Sequence, residues 1–108
     1  MFAGCTSLKT PPVLPATTLY DYCYKNMFQG CTSLTAVPDL PAETLTNQCY
    51  QAMFSGCTAL TSVPTNLLPA TGLTSSCYYD MFCDCHSLTA APNLPATTMA
   101  GSCYRYMF

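Results

Sequence analysis

Nine cysteines and a lone histidine hold most of the reactive chemistry in this 108-residue chain, and three of those groups crowd into Cys83-Asp84-Cys85-His86. A zinc site needs four nitrogen or sulfur ligands, with paired cysteines commonly separated by two to four intervening residues; the C-x-C-H bite is too tight and has no second ligand pair to complete it. Cys85 and His86 also make a poor nucleophile and base, because adjacent residues rarely face each other. The acidic residues Asp21, Asp39, Glu43, Asp80 and Asp84 are too dispersed for calcium, which takes six to eight oxygens from clustered carboxylates. No glycine-rich phosphate loop is present. The residues therefore predict no catalytic group, no metal and no cofactor, and the chain is not read as an enzyme.

Eight of the nine cysteines instead keep a common period, in the columns Cys5, Cys31, Cys57 and Cys85 and Cys23, Cys49, Cys77 and Cys103. Four copies of one sentence, approximately M-F-x-G-C-T-S-L-T-x-x-P-x-L-P-A-T-T-L-x-x-x-C-Y-x-x, fill residues 1–26, 27–52, 53–80 and 81–106, and residues 107–108 open a fifth. The period is 26 residues, stretched to 28 in the third copy by two extra residues near Asn66. The variant cluster around Cys85 is then substitution inside one copy: Asp84 stands where the others have Gly4, Gly30 and Gly56, and His86 where they have Thr6, Thr32 and Thr58.

A repeat of this length is one coil of a solenoid, which covers its apolar residues only when coils stack. Residues one repeat apart should be neighbours, with Phe2, Leu8, Phe28, Leu34, Phe54, Leu60, Phe82 and Leu88 buried in two columns. In the second copy Phe28, Cys31, Leu34, Val37 and Leu40 recur every third residue, followed by Leu45 and Cys49, a series that fits neither a long amphipathic helix nor a long strand. The proline pairs Pro12/Pro15, Pro38/Pro41, Pro64/Pro69 and Pro92/Pro95 remove backbone donors and impose extended chain, so strands must be short. The expected coil has short parallel strands near residues 34–37 and 44–49 and a helical or 3₁₀ turn from residue 50 toward the next glycine. Coils about 4.8 Å apart would make a single-domain stack on the order of 19 Å tall.

Two states are open to the cysteine columns. Stacking brings equivalents within the Cα range of a disulfide, but side chains of one column point the same way and do not supply the required dihedral near 90°. Free cysteine packs as a small buried hydrophobe, and reduced thiol ladders are the favoured reading. Cys83 makes the count odd, so any fully intrachain scheme leaves one thiol free.

Composition narrows the partners. Three Lys or Arg against five Asp or Glu leave a formal net charge of −2, too little positive charge for the phosphate neutralisation of nucleic-acid binding. No run reaches the roughly 18 apolar residues of a membrane-spanning helix, and no secretion signal opens the chain. Met1 holds the slot of Met27, Met53, Met81 and Met107, and no polar cap marks either end, so the chain reads as a piece of a longer protein with further repeats on both sides.

The segments Met27-Phe28 and Gly30-Cys31-Thr32-Ser33-Leu34-Thr35 resemble the A-F-x-x-C-x-x-L core of the BspA-like leucine-rich repeats of bacterial surface proteins, the TpLRR class. The likeness covers the whole chain. Phe2, Phe28, Phe54 and Phe82 fall in the family's Phe slot, Cys5, Cys31, Cys57 and Cys85 on its ladder Cys, and Leu8, Leu34, Leu60 and Leu88 on its first Leu; Cys23, Cys49, Cys77 and Cys103 stand where the family has a buried Ile. The Pro-Ala-Thr-Thr-Leu stretch makes this coil longer than the family's. The resemblance implies a leucine-rich-repeat-like solenoid at the cell surface or secreted, engaging a protein or glycan of a host or another cell.

Slots that vary between copies are expected outside, in two lateral stripes. One holds residues 20–22, 46–48, 74–76 and 100–102; the other holds residues 25–26, 51–52, 79–80 and 105–106. Tyr20, Tyr22, Lys25, Tyr79, Asp80, Arg105 and Tyr106 are the candidate partner-binding residues, since exposed Tyr and Arg supply rigid contact area at interfaces. Tyr24, Tyr50, Tyr78 and Tyr104, present in every copy, read as structural. The function expected is a non-enzymatic binding or adhesion module; the alternative is a structural spacer in a larger surface protein whose ligand binds elsewhere.

Overall fold

Each copy carries the same run of turns, and the backbone hydrogen bonds show how it works. The computed structural model describes residues 2–108. In the run from Tyr22 to Cys31, odd-numbered N–H groups close turns on the carbonyl three residues back, as Cys23 to Tyr20, Lys25 to Tyr22 and Met27 to Tyr24. Even-numbered N–H groups reach the next copy: Tyr22 donates to the Asn47 carbonyl, Tyr24 to Cys49, Asn26 to Gln51, Phe28 to Met53 and Gly30 to Ser55, at 2.8–3.1 Å. No donor in this run is left over. The same alternation joins Gln48, Tyr50, Ala52, Phe54 and Gly56 to Ser75, Cys77, Tyr79, Met81 and Cys83, and Ser76, Tyr78, Asp80 and Phe82 to Gly101, Cys103, Arg105 and Met107.

This ribbon has left-handed backbone at every fourth residue, because alternate turns, those closed by Cys23, Met27 and Cys31, place their third residue at positive φ. Tyr22, Asn26 and Gly30 fill those slots in one run, Gln48, Ala52 and Gly56 in the next, and Ser76, Asp80 and Asp84 in the third, all with φ between 51° and 75°. Between them sit paired core residues, Cys49-Tyr50 and Met53-Phe54 in the second run, each buried. The local period is thus four residues, which neither a helix nor a strand has.

The remainder of each coil is extended and tied more loosely. The segment at residues 34–37 is bound to the preceding coil through Thr35, whose N–H and hydroxyl both donate to the Lys9 carbonyl, and Thr44 makes one parallel bridge with Gly72, continued from Gly72 to Thr98, before the turn run begins at residue 47. Where strands were expected the structure has extended chain at residues 34–37 and one isolated bridge at Thr44, and where a helical or 3₁₀ turn was expected it has the four-residue turn run. Pro38 and Pro41 lie between the two segments and withhold the N–H groups with which a ladder could run on past residue 37. The two extra residues of the third copy are absorbed by a turn from Pro64 to Leu67, which brings both Leu67 and Leu68 into the core.

Packing follows the columns. Phe2, Phe28, Phe54, Phe82 and Phe108 stack with ring centroids 5.6 Å apart and planes within 11° of parallel. Tyr24, Tyr50, Tyr78 and Tyr104 make a second column at 5.8–6.0 Å. Offset parallel rings gain more than their area alone. Leu34, Leu60, Phe28, Phe54 and Phe82 are fully buried, as expected. Phe2, Leu8 and Leu88 are only partly so, being in the first and last copies, where one side of the column has no neighbouring rung. The whole measures 35 × 25 × 20 Å.

Candidate binding surface

Packing suppresses the chemistry of the interior cysteines, while Cys5 and Cys23 are exposed. All nine cysteines are free thiols. Cys31, Cys57 and Cys85 each donate from Sγ to the carbonyl of the Phe one coil back, Phe2, Phe28 and Phe54, at 3.0–3.2 Å. Burial pushes the Cys49 and Cys57 thiols up to about 12 and Cys85 to about 11, so all three stay protonated at neutral pH. Cys5 differs from the expectation of an interior ladder: it is exposed, because the first coil offers it no preceding Phe carbonyl, and Cys85 is half-buried. Cys83 is raised as well, by burial and then by Asp84 and Asp80, the reverse of what a nucleophile requires. Asp84 and His86 border a shallow recess of about 250 Å³ at the last coil with Phe82, Leu88 and Phe108. Among the described residues no group of three or more His, Cys, Asp or Glu side chains could hold a metal.

The seven candidate surface residues separate into two groups. Tyr20, at 76% exposure, and Tyr22, at 54%, lie on the first full turn run, where Lys25 Nζ sits 5.4 Å from the Tyr22 ring centre and donates to Gln48 Oε1 at 3.1 Å. Tyr79, Asp80, Arg105 and Tyr106 meet on the last two runs. The Tyr79 and Tyr106 rings pack edge to face at 5.7 Å and 82°, and the Arg105 guanidinium lies 4.8 Å over Tyr106 and donates to its hydroxyl at 3.0 Å. The Asp80 carboxyl is raised, first by burial and then by Asp84, with Arg105 opposing. Between the groups the stripe loses relief, since Ala52 is buried and Gln51 half-buried.

No family model, curated protein or solved structure matches the chain. The surface is therefore read from its own chemistry.

Sequence reasoning did not single out a further feature, the proline flank. Pro11, Pro12, Val13 and Pro15 of the first coil and Val37, Pro38 and Pro41 of the second line an apolar groove of about 450 Å³, and Val13 is 85% exposed. The proline pairs are the signal that could have found it: extended chain without N–H groups cannot close on the next coil, so a furrow separates successive coils there. Among the described residues no helix is long and apolar enough to cross a membrane.

Proposed function

We propose that the chain is a leucine-rich-repeat-like solenoid module of the BspA-like kind, acting without catalysis as a binding or adhesion element at the cell surface or outside the cell. The observation that carries this reading is the Tyr79, Arg105 and Tyr106 cluster: three side chains packed on one another that present aromatic edges and a cation on an otherwise weakly charged surface. Such groups anchor protein and glycan partners because they offer contact area at little entropic cost. The resemblance of the Phe, Cys and Leu slots to surface-protein repeats supports the location. Nine thiols fit an oxidising compartment poorly. Burial and raised pKa offset this for the ladder residues by keeping the reactive thiolate scarce.

The test is a binding screen of the chain against immobilised extracellular-matrix proteins and a glycan array, followed by the double substitution Tyr79→Ser and Tyr106→Ser. A partner whose affinity falls at least about tenfold, with unchanged melting temperature, supports the reading. A verified partner bound unchanged by the double variant, or no partner at all, favours the spacer reading instead. The plain middle stripe around Ala52 suits that second reading.

A further inference from the structure

The extended half of each coil carries a surface that the binding reading leaves unused. Between the second and third coils a furrow of about 360 Å³ is lined by the exposed Asp39, Pro41 and Pro64, the half-buried Pro69 and the buried Leu40 and Leu67. It opens on the side of the stack between two inner coils, so further coils above or below would leave it open. The extended half of these two coils holds only two charges, Asp39 and Glu43, and both are exposed. The furrow is therefore apolar, stiff and edged with acid. Proline fixes its own backbone, so a partner that packs there has little chain to order.

The turn half bears the complementary chemistry. Two of the three basic residues, Lys25 and Arg105, share one slot of the repeat, and each lies against a tyrosine ring, Tyr22 and Tyr106. Tyr106 is 56% exposed and packs edge to face with Tyr79. Aromatic rings pack well on proline because their negative faces attract the C–H groups beside the proline nitrogen, and extended proline-rich chain is a recurrent ligand of aromatic surfaces. A cation beside such a ring complements a carboxylate at the edge of the furrow.

We infer that a second copy of this chain docks side by side, with its Tyr106 and Arg105 in the furrow at Asp39, Pro41 and Pro64. This rests on the reading of the Tyr79, Arg105 and Tyr106 cluster as the binding surface and assigns that cluster a partner. The furrow calls for an aromatic group with a cation next to it, and the chain presents that pair on its own surface. Both patches lie on the flanks of the stack, so docking leaves the buried columns undisturbed. The contact is heterologous, one patch meeting a different one. A single cluster in a single furrow is smaller than a standard interface, so association is weak and reversible. Asp80 opposes it: this carboxylate lies close enough to Arg105 to feel its charge, and it repels Asp39 of the second copy.

Sedimentation velocity over a concentration series tests the inference on the full chain, Asp39→Arg, Arg105→Glu, the two combined, and Asp80→Asn. Asn suits the left-handed slot of Asp80, φ 55°. The size of the full chain should rise with concentration, and less so at high salt. Each single charge reversal should weaken the apparent dissociation constant by about tenfold or more, with circular dichroism unchanged. The combined chain should associate more tightly than either single variant, and Asp80→Asn more tightly than the full chain. A monomer at every concentration, single reversals without effect, a combination no tighter than the singles, or weaker association of Asp80→Asn would each overturn it. If Arg105→Glu does not fold, Asp39→Arg and the salt dependence decide. Asp39 lies outside the tyrosine cluster, so Asp39→Arg should still bind any matrix or glycan partner. A chain that binds such a partner yet stays monomeric overturns the self-docking and leaves the binding function standing.

Discussion

The Cys57 thiol donates to the Phe28 carbonyl 3.2 Å away, one coil back in the stack, and that oxygen also accepts the Cys31 N–H at 3.1 Å. The ladder cysteine thus stitches two coils through the backbone while packing as a small apolar side chain. A disulfide between rungs would spend the hydrogen on which this contact depends.

Cys57→Ala should therefore destabilise the chain by about 1–2 kcal/mol, through lost packing and a lost acceptor partner. Cys5→Ala, at an exposed thiol, should be nearly neutral. Urea midpoints at constant slope measure both, and equal effects at the two sites would contradict the ladder account.

Thiol reactivity should divide the same way. Cys5 and Cys23 are exposed, and Cys31, Cys49, Cys57, Cys77 and Cys103 are buried. A thiol reagent should titrate the exposed pair quickly and the buried five only on unfolding, and reducing agent should leave the melting temperature unchanged. A loss of stability on reduction would establish disulfides in their place.

Alkaline pH should weaken the fold. Cys49 and Cys57 are raised from 9.0 to about 12 by burial, and burial also raises Tyr50 and Tyr78. Below about pH 9 these groups are protonated in both states and their contribution is fully present. Above it the unfolded chain releases protons that the folded chain holds, so stability falls progressively as pH climbs toward 12. Urea unfolding at neutral pH and at pH values above 9 checks the slope; a flat profile would mean that these side chains are not desolvated.

Asp84 occupies a left-handed slot, φ 59°, that is glycine in the other copies. Asp84→Gly should stabilise by about 0.5–1 kcal/mol by relieving that conformation, and removing the neighbouring charge should lower the raised Asp80 pKa toward its ordinary value. Gly30→Ala should cost about 1 kcal/mol although there is room for the methyl, whose nearest contact would be 3.8 Å from Gly4. Two neutral substitutions would indicate a different backbone in the turn runs.

The repeat and its buried columns were legible in the sequence because side-chain identity enforces them: Phe28 over Phe54 and Leu34 over Leu60 must match in every copy to fill one continuous core. The turn run was harder to read. Its signal is the pair Cys49-Tyr50 followed four residues later by Met53-Phe54, but the left-handed slots between hold Asn26, Ala52, Asp80 and Tyr106, with no common side chain. Inter-coil hydrogen bonds select those conformations through the backbone, and a backbone requirement leaves little trace in residue type. The surface was half legible. Variation marked Tyr79 and Tyr106, whereas the burial of Ala52, which separates them from Tyr22 and Lys25, depends on how the ribbon folds under its own turn.

The central claim is that successive copies are joined by alternate backbone N–H groups, each reaching one coil onward. Scalar couplings through hydrogen bonds, measured between ¹⁵N and ¹³C′ in isotopically labelled chain, read that register directly. The account predicts couplings from the N–H of Tyr22, Tyr24, Asn26 and Phe28 to the carbonyls of Asn47, Cys49, Gln51 and Met53, with none from these four to carbonyls within their own coil. Couplings in another register, or from these residues to the carbonyl three or four positions back, would contradict it.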